Sequence, residues 1–406
     1  VKALVFDLSI PKFAALQILR YASRKLIYRG PLSMLRLQDL PEPSLPSPQW
    51  VKIRTRLCGF CGSDLNLVML RESTMASPFT SFPCIIGHEL CGDIVEAGRE
   101  AREFKPGEMV VVSPLLGCAA RGFDRPCRAC ASGRPGNCER FAEGRISPGM
   151  FLGICKDVGG GSAEYLVAHR SQVFRVPGGV SPEEAALAEP LSVGLQAVID
   201  NPPQRGEKAL IVGGGVIGAM IVKAIRALGT RCEITVVEPS PFHAEYVKAS
   251  GADQVIGESA VAAAERFAGA RSYKPIMGPS ILQGGFDRVY DTVGNSKTLQ
   301  ASLIAAASRG TVSLVGISKI LRFDPTPLWL KLQTVKGAYG YGYNMIQGKR
   351  THVFETALDL LKRKKLRVAD MLTHTFPIEE YRTMIEVNLN KGRHRAMKTA
   401  IKFPSS

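Results

Sequence analysis

Residues 209–228 read ALIVGGGVIGAMIVKAIRAL. The apolar run 209–212 predicts a buried strand, glycines interrupt it, and the apolar pattern of 215–228 predicts a helix. The turn between them is Gly213-Gly214-Gly215-Val216-Ile217-Gly218. GxGxxG alone is a weak signal; placed after a strand and opening a helix it is the context that a dinucleotide fingerprint requires. Gly213 permits the tight turn. Gly215 lets a pyrophosphate approach the helix N-terminus that Val216 and Ile217 begin, and Gly218 lets helix and strand pack closely. An acid is expected at the end of the next strand, and Glu238 follows the run 234–237. Its carboxylate would accept hydrogen bonds from ribose hydroxyls and repel a 2′-phosphate. Pro239, Ser240, Pro241 and Phe242 follow, with no cation to hold that phosphate, so NAD is favoured over NADP.

Outward from this turn, strands at 234–237, 255–256, 286–290 and 312–315 alternate with helical stretches, the signature of a parallel α/β sheet. Before about residue 185 the pattern differs. Short β-like runs at 50–57, 91–97, 109–113 and 164–168, broken by Gly and Pro, predict an all-β barrel or sandwich lobe. PEPSLPSP, residues 41–48, is a stiff extended entry to the second strand. A helix over 352–365 and a strand over 397–403 close the chain.

With 406 residues, 45% hydrophobic and 22% charged, the chain has room for two or three domains. It is too apolar for a disordered chain and too long for a disulfide-stapled miniprotein. No run approaches the roughly 18 apolar residues of a membrane span. The start, VKALVFDLSIPKF, reads as a first strand rather than a secretory signal, so a cytosolic setting is the default. The net charge is +16, densest at Lys362, Arg363, Lys364, Lys365 and Arg367. No aromatic residue interleaves with that run, which therefore reads as a solvated helix face.

Ten cysteines without a secretory signal argue for metal or thiol chemistry. Four crowd together as Cys118-x8-Cys127-x2-Cys130-x7-Cys138. Four thiolates suit tetrahedral zinc, and a closed four-sulfur site is structural. A second set is scattered: Cys61 in GFCGSD, His88-Glu89 in GHE, and Glu189 in AEPLSV. Cys, His and carboxylate are all zinc ligands, and three of them with an open position make a catalytic site. Separation along the chain does not itself bring them together. His88 also reads as a structural histidine, and Glu189 as an ordinary acid at a helix start.

In this order, over nearly the whole chain, these motifs resemble the zinc-dependent alcohol dehydrogenases of the medium-chain dehydrogenase/reductase superfamily. The likeness is strongest to the polyol and threonine dehydrogenase branch, whose third ligand region reads EPL, as Glu189-Pro190-Leu191 does here. The resemblance implies an α/β chain: a GroES-like β-barrel catalytic domain with a structural zinc loop over 1–190, a Rossmann doubly wound parallel sheet binding NAD over 191–340, and a return segment over 341–406. It implies Cys61 and His88 as catalytic zinc ligands, Glu189 as a third, direct or through water, and Glu89 as a carboxylate that approaches the metal during turnover. Ser63 stands where the family places a hydroxyl that bonds the substrate oxygen. Asp64 stands where a carboxylate orients the ligating imidazole, and Val193 where a residue packs on the nicotinamide; Cys58 reads as packing. The implied reaction passes hydride between an alcohol (a polyol, amino alcohol or similar) and NAD. Zinc acidifies the alcohol and Ser63 passes its proton outward. The implied protein is a cytosolic homo-oligomer, dimer or tetramer, with two zinc ions per chain, a small alcohol or carbonyl substrate, and no nucleic-acid or membrane partner.

Three features depart from the pattern. Asn66 stands where many relatives end a proton relay with histidine. Asp124 occupies the usual first position of the structural loop, leaving Cys118 as the nearest upstream thiol. The stretch between Asp7 and Leu35 is long for the family and is expected to form a covering element near the cleft. Two other readings stay open at this level: a zinc-free reductase or lyase-like relative on the same scaffold, and a zinc-loop nucleic-acid-binding protein supported by the positive charge.

Overall fold

The computed structural model describes residues 1–316 and 320–404. The chain forms two compact units, Val1–Glu189 with Gly340–Ser406, and Pro190–Tyr339.

The second unit is built on six parallel strands. Their order across the sheet is Gln254–Ile256, Glu233–Val237, Lys208–Val212, Phe286–Asp291, Ala306–Leu314 and Thr334–Gly337. Numbered along the chain this is 3-2-1-4-5-6, the doubly wound nucleotide-binding order. Ala209, Leu210 and Ile211 are wholly buried, as a strand covered on both faces requires, and this is why they read as an unbroken apolar run. The helix Val216–Ala227 buries Gly218, Ala219, Met220, Ile221, Val222, Ala224 and Ile225. A small hairpin, Arg271–Tyr273 with Ile281–Gln283, has an exposed first strand. Its apolar alternation is too short to stand out in the sequence.

The first unit holds a seven-stranded sheet. Its strand order is Leu372–Phe376, Lys398–Lys402, Trp50–Gly59, Glu89–Ala97, Met109–Val112 and Val173–Arg175, and Tyr165–His169 also pairs with Trp50–Gly59. A three-stranded sheet joins Leu35–Asp39, Lys2–Phe6 and Cys84–Ile85. In the larger sheet Gly59 lies opposite Glu89 on one side and Ala400 on the other. The last strand of the chain therefore runs beside the segment that leads to Cys61.

The long stretch after Asp7 forms two helices, Ile10–Leu19 and Leu26–Arg29. Leu16, Ile27 and Tyr28 enter the same core as Val68, Met69, Met384 and Ile385. The basic run differs from its expectation as a helix face. The helix Val353–Lys362 stops at the first of these residues. Lys364 takes a left-handed backbone, φ 52°, and its ammonium reaches Glu184 at 3.0 Å and the Gly179 carbonyl at 2.8 Å. Positive charge just past a helix end complements its carbonyls, so the run terminates the helix instead of lining it. Among the described residues no helix is long and apolar enough to cross a membrane.

Candidate active site

The site begins where the strand Trp50–Gly59 turns into the helix Gly62–Val68. Cys61 is the helix N-cap, and its backbone N–H donates to Asp64 Oδ2 at 2.9 Å. The same carboxylate places Oδ1 3.5 Å from His88 Nδ1, so one side chain fixes both the helix start and the imidazole. On the other edge of the ring, Nε2 lies 3.4 Å from Ser63 Oγ. Ligand atoms of Cys61, His88 and Glu89 all lie within 4.8 Å of one another. Glu189 stands outside that trio, in the first turn of the helix Ala188–Asp200, where its Oε1 accepts from Tyr341 Oη at 2.9 Å.

Glu89 pairs with the Lys398 ammonium, and both side chains are almost wholly buried. Space for this pair exists because residue 59 is glycine. A Cβ there would stand 2.5 Å from Glu89 Oε2 and 3.0 Å from Lys398 Cε. Gly59→Ala is therefore expected to destabilise the protein by about 1–3 kcal/mol, measured by denaturant titration; a variant as stable as the parent would show that the pair moves aside freely.

The electrostatics of the cluster are those of crowded buried donors. Burial pushes the Glu189 carboxyl up to about 7, and the nearby Glu89 adds to this. Burial also opposes charge on Asp64 and His88. Their mutual attraction outweighs it, holding the carboxyl below and the imidazole well above their ordinary values. Burial opposes charge on Lys398 too, and Glu89 overcomes it and raises the ammonium. A thiol, an imidazole and three carboxyl groups share this pocket with Lys398, and the Lys391 ammonium, pushed down to about 8 by burial, also feels Cys61 and Glu89. Sulfur, nitrogen and oxygen donors together suit a divalent zinc ion.

The second cluster lies in the loop that begins at Cys118. All ten cysteines are free thiols. Cys118, Cys127, Cys130 and Cys138 bring their sulfurs within 4.8 Å of one another. Cys118 and Cys138 Sγ are 3.7 Å apart and Cys127 and Cys138 Sγ 4.0 Å. A tetrahedron with zinc–sulfur bonds of about 2.3 Å has edges of about 3.8 Å, so the spacing fits the ion. Backbone N–H groups of Cys118, Cys127, Cys130, Glu139 and Arg140 all donate to these sulfurs, at 3.3–3.5 Å. Such bonds favour thiolate over thiol. Cys138 is drawn down to about 5, first by the hydrogen bond from Cys130. Asp124 is exposed and outside the cluster.

The long spacer after Cys118 is held by Arg121, which is 0% exposed. Its guanidinium donates to the carbonyls of Leu116, Glu143, Ile146, Ser147 and Gly149 at 2.6–3.4 Å. The guanidinium fork suits such a task, because its five N–H groups point in fixed directions.

In the second unit, the glycine turn has the conformation its sequence requires. Gly213 has φ +99°, Gly215 has open space before it, and a Cβ on Gly218 would fall 1.9 Å from the Gly213 carbonyl oxygen. Val216 and Ile217 start the helix half-buried, and Val193 is half-buried on the helix Ala188–Asp200. Glu238 folds back on the turn. Its Oε2 accepts from Gly214 N at 2.7 Å and its Oε1 from Ser240 N at 2.7 Å.

Three residues of these clusters escape a reading of the sequence: Lys398, Tyr341 and Arg121. Each is a polar side chain in an otherwise apolar or glycine-rich stretch, the one signal available for them. Nothing in that signal names a partner 309 residues away, as for Lys398 and Glu89.

Comparison with known proteins bears on both units. Residues 47–178 match the alcohol dehydrogenase GroES-like domain and residues 216–363 the zinc-binding dehydrogenase domain. Sorbitol dehydrogenase from Bacillus subtilis (strain 168) is 30% identical over 283 residues, covering 70% of this chain and 72% of that protein. Sorbitol dehydrogenase from Pongo abelii is 26% identical over 359 residues, 87% of this chain and 89% of its own. Galactitol-1-phosphate dehydrogenase from Escherichia coli shares the fold, with TM-score 0.73 at 22% identity, over 99% of this chain and 100% of that one. Sequence, sheet order and matched domains agree that the chain belongs to the zinc-dependent alcohol dehydrogenases of the medium-chain dehydrogenase/reductase superfamily, in the polyol branch, and is an oxidoreductase.

Proposed function

We propose that the protein oxidises a hydroxyl of a polyol or related small alcohol with NAD, and reduces the corresponding carbonyl in reverse. The observation that carries this reading is the convergence of Cys61, His88 and Glu89 within 4.8 Å in a chain of this family. Those three, with Glu189 beside them, would hold one zinc ion, and Cys118, Cys127, Cys130 and Cys138 a second. A zinc ion at the first site supplies Lewis acidity toward the alcohol, and NAD at the glycine turn supplies the hydride acceptor.

The chain's own residues do the rest. Asp64 holds the His88 ring so that Nε2 faces the cluster. Ser63, on that same side of the ring, accepts the substrate hydroxyl proton and releases it outward. Asn66 does not titrate, so the proton passes from Ser63 to solvent and not to a side chain at that position. Lys398 keeps Glu89 paired and limits the negative charge beside the substrate. The protein works as a homo-oligomer, dimer or tetramer, as this family commonly does.

The test is a screen of NAD and NADP reduction over polyols, amino alcohols, simple alcohols and sugars. Reduction with a polyol supports the reading, and no reduction with any alcohol in zinc-replete protein would overturn it. NAD should be preferred, because Glu238 meets the 2′-phosphate of NADP with negative charge. Glu238→Ala is expected to narrow the NAD/NADP ratio of kcat/KM by about tenfold or more, a change of about 1.4 kcal/mol in discrimination. Equal kcat/KM for the two cofactors in the parent protein would refute the role of Glu238.

A further inference from the structure

The catalytic cluster and the four-thiol loop lie in the same unit, and a short hairpin touches both. The hairpin pairs Tyr343–Ile346 with Lys349–His352. Just before it, Tyr341 is 3% exposed and donates its hydroxyl to Glu189 at 2.9 Å. The ring of Tyr341 is fixed by Phe354, centroids 5.1 Å apart, and by the edge of His352 at 6.4 Å. Its hydroxyl position therefore follows the hairpin backbone.

That backbone is latched to the thiol loop. Tyr343 N donates to the Gly133 carbonyl at 2.9 Å, and Arg134 Nη2 donates to Asn344 Oδ1 at 3.0 Å. Gly133 in turn donates its N–H to the Cys130 carbonyl at 3.0 Å. The contact is too close for side chains. A Cβ on Gly342 would stand 2.0 Å from the Gly133 oxygen, and one on Gly340 would stand 3.2 Å from Gly136 Cα. A continuous line of bonded or touching groups thus runs from Cys130 through Gly133 and the hairpin to Glu189.

We propose that this hairpin couples the four-thiol loop to the catalytic cluster, with Tyr341 as the positioning residue that fixes the Glu189 carboxylate. The inference rests on the zinc reading of both clusters. It assigns the loop a second role besides stability: displacement of the loop near Cys130 shifts the hairpin, and the hairpin carries the Tyr341 hydroxyl with it.

The experiment uses full-length protein with cobalt(II) in place of zinc. The visible band of the catalytic site is isolated by subtracting the spectrum of Cys61→Ser. Tyr341→Phe keeps the ring and deletes the hydroxyl. It should shift the catalytic-site band and lower kcat by about tenfold, with KM within about twofold, in protein that remains folded by circular dichroism. Asn344→Ala should shift the band in the same direction, and should add nothing in the Tyr341→Phe background, because both act through one hydroxyl. Arg134→Gln serves as a second latch variant should Asn344→Ala fold poorly. An unmoved band and kcat in Tyr341→Phe would overturn the positioning role. Additive effects of the two substitutions would overturn the coupling. A parent protein that takes up no cobalt at the Cys61 cluster fails differently: that result removes the metal reading itself, before any hairpin variant is made.

Discussion

Cys61→Ser is expected to remove most turnover while leaving a folded protein that has lost one of two zinc ions per chain. Cys61 supplies the sulfur of the trio with His88 and Glu89, yet it lies two residues beyond Gly59, the last paired residue of its strand, so the sheet does not depend on the thiol. Losing the metal removes several kcal/mol of charge stabilisation from the transition state. At about 1.4 kcal/mol per tenfold, that amounts to a fall in kcat/KM of about three orders of magnitude. Elemental analysis and circular dichroism on one sample check both halves. Complete unfolding of the variant would show that the catalytic and structural assignments are exchanged.

The thiol loop should answer the opposite way. Cys118→Ser is expected to release the loop ion and lower thermal stability sharply, because metal binding in small zinc modules contributes on the order of 10 kcal/mol. Asp124→Ala should leave zinc content and melting temperature nearly unchanged, since Asp124 is exposed and outside the cluster. Zinc titration and thermal melts of both variants decide the matter. Stable, zinc-replete Cys118→Ser protein beside a metal-depleted Asp124→Ala would assign the carboxylate as ligand. A longer spacer is a small obstacle, because each doubling of loop length costs only about 0.6 kcal/mol. Arg121 lowers even that cost by fixing the spacer to five carbonyls of the loop and its flanks.

What the sequence reveals here is what local chain geometry controls. The glycine turn is legible because its requirements, a positive φ at Gly213 and a missing Cβ at Gly218, act within six residues of chain. The thiol loop is legible because its ligands sit within 21 residues. Cys61, His88 and Glu89 are legible only through resemblance, since a strand register, not a spacing, brings them together. Lys398 and Tyr341 are not legible, because they arrive from the far side of an intervening unit. The fate of the basic run is hidden for a related reason. Its helix ends where Lys364 finds Glu184, a partner 180 residues earlier.

The first unit is assembled from two segments that flank the second in sequence, and this orders events during synthesis. Pro190–Tyr339 is one continuous piece, and all six strands of its sheet are synthesised before residue 340 is added. Domains tend to fold as units while the chain emerges. Lys398–Lys402, an interior strand between Leu372–Phe376 and Trp50–Gly59, is added only after that piece. Until then Glu89 has no buried ammonium beside it and Glu189 lacks the Tyr341 hydroxyl. Every strand of the second unit's sheet is thus made while the Cys61 cluster still lacks Lys398 and Tyr341. Only when Lys398–Lys402 takes its place beside Trp50–Gly59 does the Cys61 cluster have every one of its buried partners.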